Sequence, residues 1–365
     1  MENSAVILDP KRYIPCLRWK QGEYQALMHL SPAARDSILP LIDVAEIGFD
    51  FEKREESKSV DEHLTPVAKR VREKWGTNEC FVDLHLIGAS QRMASGQHPV
   101  TFVFDDLRLK GIRAVPVTGI NQDSQWQDAI QKAVDDGGRG FCFRINLEDA
   151  MKPTLGTVIS DLLHKYGRQV EECDLIIDEE APNFEPLDGF VGLLEAIIIN
   201  LPYLNRWRSF GVIGTSLPPS LSTLGSGLSI ISRNEWLTYK YLIVRLKSTG
   251  IRIPSFGDYA INHPEVLTVD PRFMKTKANI RYTINDSWLI MRGRNVRDYS
   301  EHRELCSAIV KSKMYNGPDF SAGDKYIFDC SQGIASTGNP TTWRWVGTNH
   351  HLVSVAQDVA NLAAS

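Results

Sequence analysis

Residues 174–179 read Asp-Leu-Ile-Ile-Asp-Glu, and residues 210–214 read Phe-Gly-Val-Ile-Gly. Both runs are nearly continuous in apolar or small residues, and neither alternates regularly with polar residues. This pattern is typical of strands that are buried on both faces, as in parallel sheets covered by helices. The first run also ends in carboxylates, so we expect its carboxyl end to lie where polar groups meet solvent.

Similar runs recur along the first 265 residues and alternate with segments of helical period, several of which end in glycine stop signals such as Gly76 and Gly111. Eight strand-like runs within about 250 residues predict a TIM-like (β/α)8 barrel. A doubly wound open sheet is the alternative, although no G-x-G-x-x-G motif follows the first run. The predicted strands are 13–20, 39–46, 80–86, 114–119, 140–146, 174–179, 210–216 and 253–259.

The pattern changes after residue 265. Two β-branched and aromatic runs, 280–284 and 288–291, bracket Asn285-Asp286-Ser287 and predict a hairpin with a three-residue loop. We expect a helix over 300–314, a strand over 326–330 and a closing helix within 341–357. The tryptophans and tyrosines of this part need burial. The sequence therefore predicts a barrel over residues 1–265 with an α+β appendage, residues 266–365, packed on it.

The composition is that of a globular protein, with 42% hydrophobic and 24% charged residues. The 41 basic and 45 acidic side chains give a net charge of −4, which argues against a dedicated nucleic-acid or membrane-surface protein but leaves local patches open. The first ten residues lack the basic and apolar regions of a signal peptide, and no apolar run approaches the ~18 residues of a membrane helix. We expect a cytoplasmic protein without membrane contact.

Active sites of such barrels lie at the carboxyl ends of the strands. His85 could be either a satisfied histidine of the rim or a ligand, and any of these side chains could be a solvated strand end. The polar residues at the predicted strand ends are Lys20, Asp43, Glu46, Asp83, His85, Thr118, Arg144, Asn146, Asp178, Glu179, Ser216, Asp258 and Tyr259.

Several acidic groups at one mouth would repel each other unless cations neutralise them. Carboxylate oxygens suit hard cations, so we expect Mg²⁺ or Mn²⁺ held by Asp43, Asp83, Asp178 and Asp258. No phosphate-binding loop or other nucleotide-cofactor motif is found in the sequence.

Basic residues supply the groups expected to act on phosphate. Lys20, Arg144 or Arg294 would stabilise developing phosphate charge. Residues 275–303 hold seven basic and three acidic side chains, so this basic hairpin can meet phosphate or a nucleic-acid strand. The alternative is that its arginines dock the appendage on the barrel. The candidate substrate-binding residues are Arg281, Arg292, Arg344 and Trp343.

The string Trp-Arg-Trp-Val-Gly-Thr-Asn-His-His-Leu, residues 343–352, contains two adjacent histidines. Side chains of adjacent residues point in different directions on a helix or a strand, so at most one of them shares a site with Arg344. His350 or His351 would shuttle a proton. The alternative is a buried aromatic cluster in which the histidines make structural hydrogen bonds.

The chain resembles the bacterial and phage "beta protein" family. The resemblance rests on Tyr13-Ile14-Pro15 with Lys20 and Glu23, on the segments 39–43 and 116–117, on Arg281-Tyr282 and Arg292-Gly293-Arg294, and most specifically on the closing motif within residues 343–352. It extends over nearly the whole chain. The resemblance implies a barrel-like α/β body and an association with phage–host conflict, but no reaction and no catalytic residues.

Two functions remain open from the sequence. The first is an antiphage-defence effector or accessory protein whose barrel mouth binds a phosphate-containing ligand, with metal-dependent phosphodiester hydrolysis as its enzymatic form. The second is a non-catalytic sensor or scaffold that binds a phage protein or a partner effector.

Overall fold

The computed structural model describes residues 12–265, 270 and 275–364. Its strands are β1 Ile14–Arg18, β2 Leu41–Asp43, β3 Phe49–Asp50, β4 Glu55–Glu56, β5 Cys80–Asp83, β6 Ala114–Thr118, β7 Cys142–Asn146, β8 Asp174–Glu180, β9 Ser209–Gly214, β10 Gly227–Ser232, β11 Ser255–Asp258, β12 Lys277–Ile284 and β13 Ser287–Val296. Its α-helices are α1 Gln21–Met28, α2 Pro32–Asp36, α3 Val60–Leu64, α4 Val67–Lys74, α5 Pro99–Leu109, α6 Ser124–Gly137, α7 Leu147–Ala150, α8 Leu155–Lys165, α9 Leu187–Ile199, α10 Asn234–Thr249, α11 His302–Lys311, α12 Ala322–Ser331 and α13 Pro340–Ala364.

Eight parallel strands form a closed barrel in the order β1-β11-β9-β8-β7-β6-β5-β2. Strand β1 pairs with β2 on one side and with β11 on the other, which closes the sheet and excludes the open doubly wound alternative. The predicted TIM-like barrel is therefore confirmed. A small hairpin of β3 and β4 lies between β2 and α3.

Side chains of the barrel strands alternate between an inner cluster and an outer layer under the helices. Glycine occupies two inward positions, Gly211 and Gly257, and the side chain of Ile14 fills the space beside both. A Cβ at Gly257 would also lie 2.5 Å from the carbonyl oxygen of Ile14, so no larger residue fits there. The inner cluster consists of Ile14, Cys16, Leu39, Leu41, Phe81, Val115, Val117, Cys142, Ile176, Ile213 and Tyr259.

The appendage is built on a three-stranded antiparallel sheet in the order β10-β13-β12. Ile284 pairs with Ser287, so the β12–β13 loop is the two residues Asn285-Asp286 rather than the predicted three. Asn285 has φ of 38°, the positive value that two-residue hairpin loops require. The strand predicted over 326–330 is wrong: these residues lie in helix α12, whose amino terminus is capped by the Ser321 side chain.

Two elements pack against the part of the chain on the other side of the sequence boundary at residue 265. Strand β10 precedes that boundary, yet it pairs with β13 of the appendage over six residues. Helix α13 follows the boundary, and its first half contributes Trp343 and Val346 to the appendage core. Its second half covers the outside of the barrel, where an eighth helix is needed. The residues of α13 that join the outer barrel core are Leu352, Val355, Ala356 and Val359.

Helices α12 and α13 cross at Gly323. A Cβ at this position would overlap the carbonyl oxygen of Val346 and lie 3.2 Å from the amide nitrogen of His350. Because both atoms belong to the α13 backbone, neither can move aside alone. We therefore expect Gly323→Ala to lower the free energy of unfolding by about 1–3 kcal/mol, as overpacked substitutions do.

The matched control for Gly323→Ala is Gly137→Ala near the end of α6, where a Cβ meets nothing within 4 Å. This change should be neutral or stabilise by a few tenths to about 1 kcal/mol, because alanine loses less backbone entropy on folding. Chemical denaturation monitored by circular dichroism measures both variants. Equal stabilities for the two variants would contradict the tight α12–α13 crossing.

Candidate metal and ligand site at the barrel mouth

Strand alternation brings four charged side chains to the carboxyl end of the barrel. Each lies two residues after an inward apolar residue of its strand, and each therefore also points inward. The pairs of inner core residue and mouth residue are Leu41 and Asp43 on β2, Phe81 and Asp83 on β5, Cys142 and Arg144 on β7, and Ile176 and Asp178 on β8.

Arg144 stands at the centre of this layer. Its Nη1 lies 2.7 Å from Asp43 Oδ1 and 2.9 Å from Asp83 Oδ2. Its Nε donates to Asp178 Oδ2 at 2.8 Å, and its Nη2 donates to the Tyr259 hydroxyl at 3.0 Å. Burial opposes the positive charge, but the carboxylates outweigh it and raise the pKa of Arg144 well above its usual value. Every nitrogen of Arg144 thus has a protein partner, so Arg144 holds the carboxylates of the site together, and its predicted role toward phosphate charge stays a prediction.

Asp178 is also fully engaged. Its Oδ1 accepts hydrogen bonds from the Tyr259 hydroxyl at 2.8 Å and from the backbone nitrogen of Glu180 at 2.8 Å, and its Oδ2 accepts from Arg144. Among the described residues, Asp178 does not belong to the group whose ligand atoms lie within 4.8 Å of one another, so the structure does not bring it together with the other predicted metal ligands.

Asp43, Asp83 and His85 form the group that can hold a metal ion. Each offers one ligand atom, and the three atoms lie within 4.8 Å of one another. His85 Nδ1 is 3.0 Å from Asp83 Oδ2 and 3.9 Å from Asp43 Oδ1. The two aspartates are buried, whereas the His85 side chain is 37% exposed and faces solvent at the mouth. A site with buried carboxylates and one accessible imidazole has the donors that Mn²⁺ and Zn²⁺ accept.

The ionisation of this group follows from its charges. Burial alone would raise the pKa of Asp83, but His85 and Arg144 outweigh burial and lower it. Burial would lower the pKa of His85, and Asp83 and Asp43 instead raise it. The two carboxylates therefore favour a positive charge at the imidazole, and the same carboxylates would attract a metal cation.

Glu180 is a feature of the mouth that the sequence reasoning did not assign. It follows Asp178 and Glu179 at the end of β8, where the ladder to β9 shifts register. Its φ is 58°, a left-handed value that is rare outside glycine and asparagine, and its side chain is exposed. Residues held in such backbone conformations cluster at functional sites. No sequence signal for this conformation exists, because a bulge depends on the pairing with the neighbouring strand.

Asp258 is not part of the mouth. It precedes the inward Tyr259 by one residue and so faces the outside of the barrel. There its Oδ2 lies 2.9 Å from His351 Nε2, its Oδ1 accepts from the Tyr13 hydroxyl, and the side chain is fully buried. The prediction that Asp258 joins the metal site is wrong for this reason.

The adjacent histidines of α13 are both fully buried. His351 Nδ1 lies 2.7 Å from the Thr283 hydroxyl, and its Nε2 bonds Asp258. His350 Nδ1 lies 2.8 Å from Asp324 Oδ2, and its ring stacks on Tyr282 with centroids 3.7 Å apart. Neither can meet a ligand at the mouth, which corrects the predicted proton shuttle. They join α13 to the barrel on one side and to the appendage on the other.

The remaining cationic candidates are dispersed. Lys20 lies on the barrel rim and pairs with Glu46 at 2.6 Å. Arg294 lies on β13 of the appendage, and its side chain is exposed.

The four predicted substrate-binding residues hold loops and helices. Arg281 donates to the carbonyl of Ile261, and burial together with Arg344 lowers its pKa. The other three side chains also donate hydrogen bonds to groups of neighbouring loops. None of these partners is a mouth residue. Arg292 donates to the carbonyls of Ser222 and Leu224, Arg344 donates to Asn262, and the buried Trp343 donates to the Thr337 carbonyl and stacks on His302.

The closed strand order defines an α/β barrel protein, and the polar mouth at the carboxyl ends of its strands is its candidate site. The chain belongs to the Beta protein family, whose model matches residues 13–357. No curated protein matches it. Among solved structures, it is similar to triosephosphate isomerase from Bartonella henselae, with 11% identity and a TM-score of 0.34 over 68% of this chain and 91% of that one. Within the described residues, no helix has the length and apolar character needed to cross a bilayer.

Proposed function

We propose that the barrel mouth binds a divalent cation through Asp43, Asp83 and His85, and through this cation a phosphate-containing ligand. The observation that carries the proposal is the convergence of three ligand atoms within 4.8 Å of one another, one of which belongs to the solvent-facing imidazole of His85. The charge balance supports it as well. Asp43, Asp83 and Asp178 surround the single Arg144, so the layer has a surplus of negative charge that would repel phosphate without a cation.

Metal-assisted phosphodiester hydrolysis is the reaction class that we propose for this site. A bound Mn²⁺ or Zn²⁺ would polarise a phosphoryl oxygen and lower the pKa of a bound water. Arg144 fixes the orientation of the two carboxylate ligands by bonding one oxygen of each, and Tyr259 fixes Asp178 behind them. The exposed Glu180 is the candidate to accept a proton at the mouth. Within phage–host conflict, the setting implied by the family resemblance, the protein would act as a defence effector or accessory.

A non-catalytic sensor or scaffold is the second candidate. It is supported by two apolar side chains on β10, an edge strand of the appendage sheet. Leu228 is 53% exposed and Ile230 is 58% exposed, and no charged residue occurs along Gly227–Ser232. Unprotected edge strands of this kind can pair with another chain. This function predicts that capture of a phage or effector protein survives Asp83→Asn.

Calorimetric titration with MnCl₂ and ZnCl₂ tests the metal site. We expect the wild-type protein to bind one cation, and His85→Ala and Asp83→Asn to weaken binding at least about tenfold, because each removes one of three ligands. His164→Ala, on the exposed last turn of α8, is the matched control and should leave binding unchanged. Unchanged affinity in both site variants would refute the assignment.

A hydrolysis assay tests the reaction class separately. Bis(p-nitrophenyl) phosphate with added Mn²⁺ should be cleaved by the wild type and not by Asp83→Asn. Cation binding without any cleavage of this or other phosphodiesters would leave the metal site standing and remove the hydrolase assignment.

A further inference from the structure

The open end of the β12–β13 hairpin concentrates basic side chains from two chain segments. Lys277 pairs with Val296 across the two strands, and the backbone nitrogen of Arg297 donates to the Thr276 carbonyl at 2.8 Å. These contacts bring Lys275, Lys277, Arg294 and Arg297 to one end of the sheet. We call these four residues the cationic end of the hairpin.

Two acidic side chains next to this end accept hydrogen bonds from the main chain. Glu301 accepts hydrogen bonds from the backbone nitrogens of Arg294 at 2.9 Å and of Asn295, so it is held by the main chain. Asp298 caps the following turn by accepting from the Ser300 backbone nitrogen at 3.0 Å. Across residues 12–265, 270 and 275–364, no ion pair involves Lys275, Lys277 or Arg294 as the basic partner, and Lys275 and Arg294 are exposed.

An apolar and an aromatic side chain lie among these charges. Val296 is 47% exposed and follows Arg294 and Asn295, which are also exposed, at the end of β13. Tyr299 is partly exposed, and its hydroxyl lies 3.1 Å from the Thr276 hydroxyl. Proteins that bind single-stranded nucleic acids combine a cationic track for the backbone with apolar and aromatic surfaces for the bases.

The cationic end lies at the far end of the hairpin from the contact between the hairpin and α10. The opposite end of the hairpin, at Asn285 and Asp286, contacts the start of α10 through Arg233 and Lys240. Strand β12 has eight residues, which at about 3.4 Å per residue puts its open end roughly 27 Å from that contact. None of the four residues belongs to the mouth, so a test of binding at this end is distinct from the tests of the function proposed for the mouth.

We propose that the cationic end of the hairpin binds the phosphodiester backbone of single-stranded nucleic acid. The recognised chemistry is a chain of phosphates spaced along a flexible backbone, with bases that can lie against Val296 and Tyr299. This binding is sequence-tolerant, because no base-reading side chain is required by the arrangement, and it weakens with salt because each phosphate contact releases counterions.

Fluorescence anisotropy of labelled oligo-dT and oligo-rU with the full-length protein tests this proposal. At about 50 mM salt we expect binding that weakens steeply as salt is raised. The double variant Lys275→Gln/Arg294→Gln should bind at least fivefold more weakly, and its logarithmic salt slope should fall by about 1.4, or about 0.7 for each lost phosphate contact. The comparison of the two oligonucleotides shows which kind of strand binds more tightly, although they differ in the thymine methyl group as well as in the sugar.

The double variant Lys69→Gln/Arg72→Gln is the matched control, since it removes two exposed charges from α4 on the barrel. It should keep wild-type affinity and slope. Polyglutamate, a carboxylate polyanion, should not displace the oligonucleotides at equal charge. The proposal is overturned by absence of binding at low salt, by equal losses in the two double variants, or by efficient displacement with polyglutamate.

Discussion

Arg144→Met is expected to lower the free energy of unfolding at pH 7 by about 3–5 kcal/mol, the usual effect of removing one partner from a buried ion-pair group. The side chains of Asp43, Asp83 and Asp178 are each 7% exposed or less, and all three bond this one guanidinium. Without it, three carboxylates would face each other in a water-poor layer. Methionine has a similar length, so the loss measures the charge and hydrogen bonds more than the packing.

The stability lost in Arg144→Met is expected to depend on pH, and the direction of this dependence can be predicted. In the wild type, burial opposes ionisation of Asp83, but His85 and Arg144 lower its pKa, so its stabilising charge persists between pH 7 and 5. That contribution is lost only as pH falls through the lowered value. In the variant, protonation relieves the repulsion, so its stability should rise as pH falls from 7 to 5. The difference between the two proteins should therefore narrow over this range.

Arg206→Met is the matched control for this charge removal. Arg206 pairs with Glu171 at 2.7 Å, but both side chains are more than half exposed, and such solvent-screened surface pairs contribute little to stability. Guanidinium denaturation of both variants at pH 7 and pH 5 makes the comparison. A loss below 1 kcal/mol for Arg144→Met, or a difference that widens at pH 5, would contradict the ion-pair description of the mouth.

The sequence predicts much of the barrel because each strand carries its own signal. Runs such as 174–179 are apolar enough to be recognised alone. In β2, β5, β7 and β8, the apolar residue two positions before each charged residue indicates which side chains point into the barrel. The phase of β11 is hidden, because the inward position next to Asp258 is Gly257. A glycine gives no hydrophobic signal, so the sequence does not reveal that Asp258 faces the outside of the barrel while the carboxylates predicted to join it point inward.

Other features depend on pairing between distant segments. Strand β10 lies in a segment rich in glycine, serine and proline and reads as a loop, yet it pairs with β13, about 60 residues further along. Residues 326–330 have the composition of a strand, but burial of Ile327 and Cys330 against α11 and α13 makes them helical. The predicted mouth residues Asp43 and Asp83 keep their place in the site. The sequence leaves His85 open between a rim histidine and a ligand, and its distance to both carboxylates places it in the group that can hold a metal ion.

Removal of residues 266–365 is expected to abolish cooperative folding of the barrel, although the sequence boundary suggests that residues 1–265 can stand alone. Four apolar residues of α13 belong to the outer barrel core, and Asn349 Nδ2 donates to the Ala26 carbonyl of α1 at 3.0 Å. Without α13, the outside of β1 and β11 would expose this core. Asp258 would lose His351, leaving Arg233 as its cationic neighbour at 3.7 Å.

A point variant tests the same junction in the intact chain. His351→Leu keeps an apolar side chain in α13 but leaves Asp258 and the Thr283 hydroxyl without this partner in a fully buried place. Because burial lowers the pKa of His351 despite Asp258, the lost contribution is chiefly that of two buried hydrogen bonds. We expect a loss of about 2–5 kcal/mol, since each buried polar group left unpaired costs about 1–3 kcal/mol.

Gln357→Ala, exposed on the same helix, is the control and should change stability by less than about 0.5 kcal/mol. Differential scanning calorimetry distinguishes the outcomes for the junction. If the appendage only rests on the barrel, the truncated chain will show a cooperative transition near that of the full chain, and His351→Leu will behave like Gln357→Ala. If α13 completes the barrel, the truncated chain will show no cooperative transition, and His351→Leu will lower the midpoint of a single transition that includes both parts. We expect the second result, because α13 supplies residues to both cores and β10 binds the barrel segment to the appendage sheet.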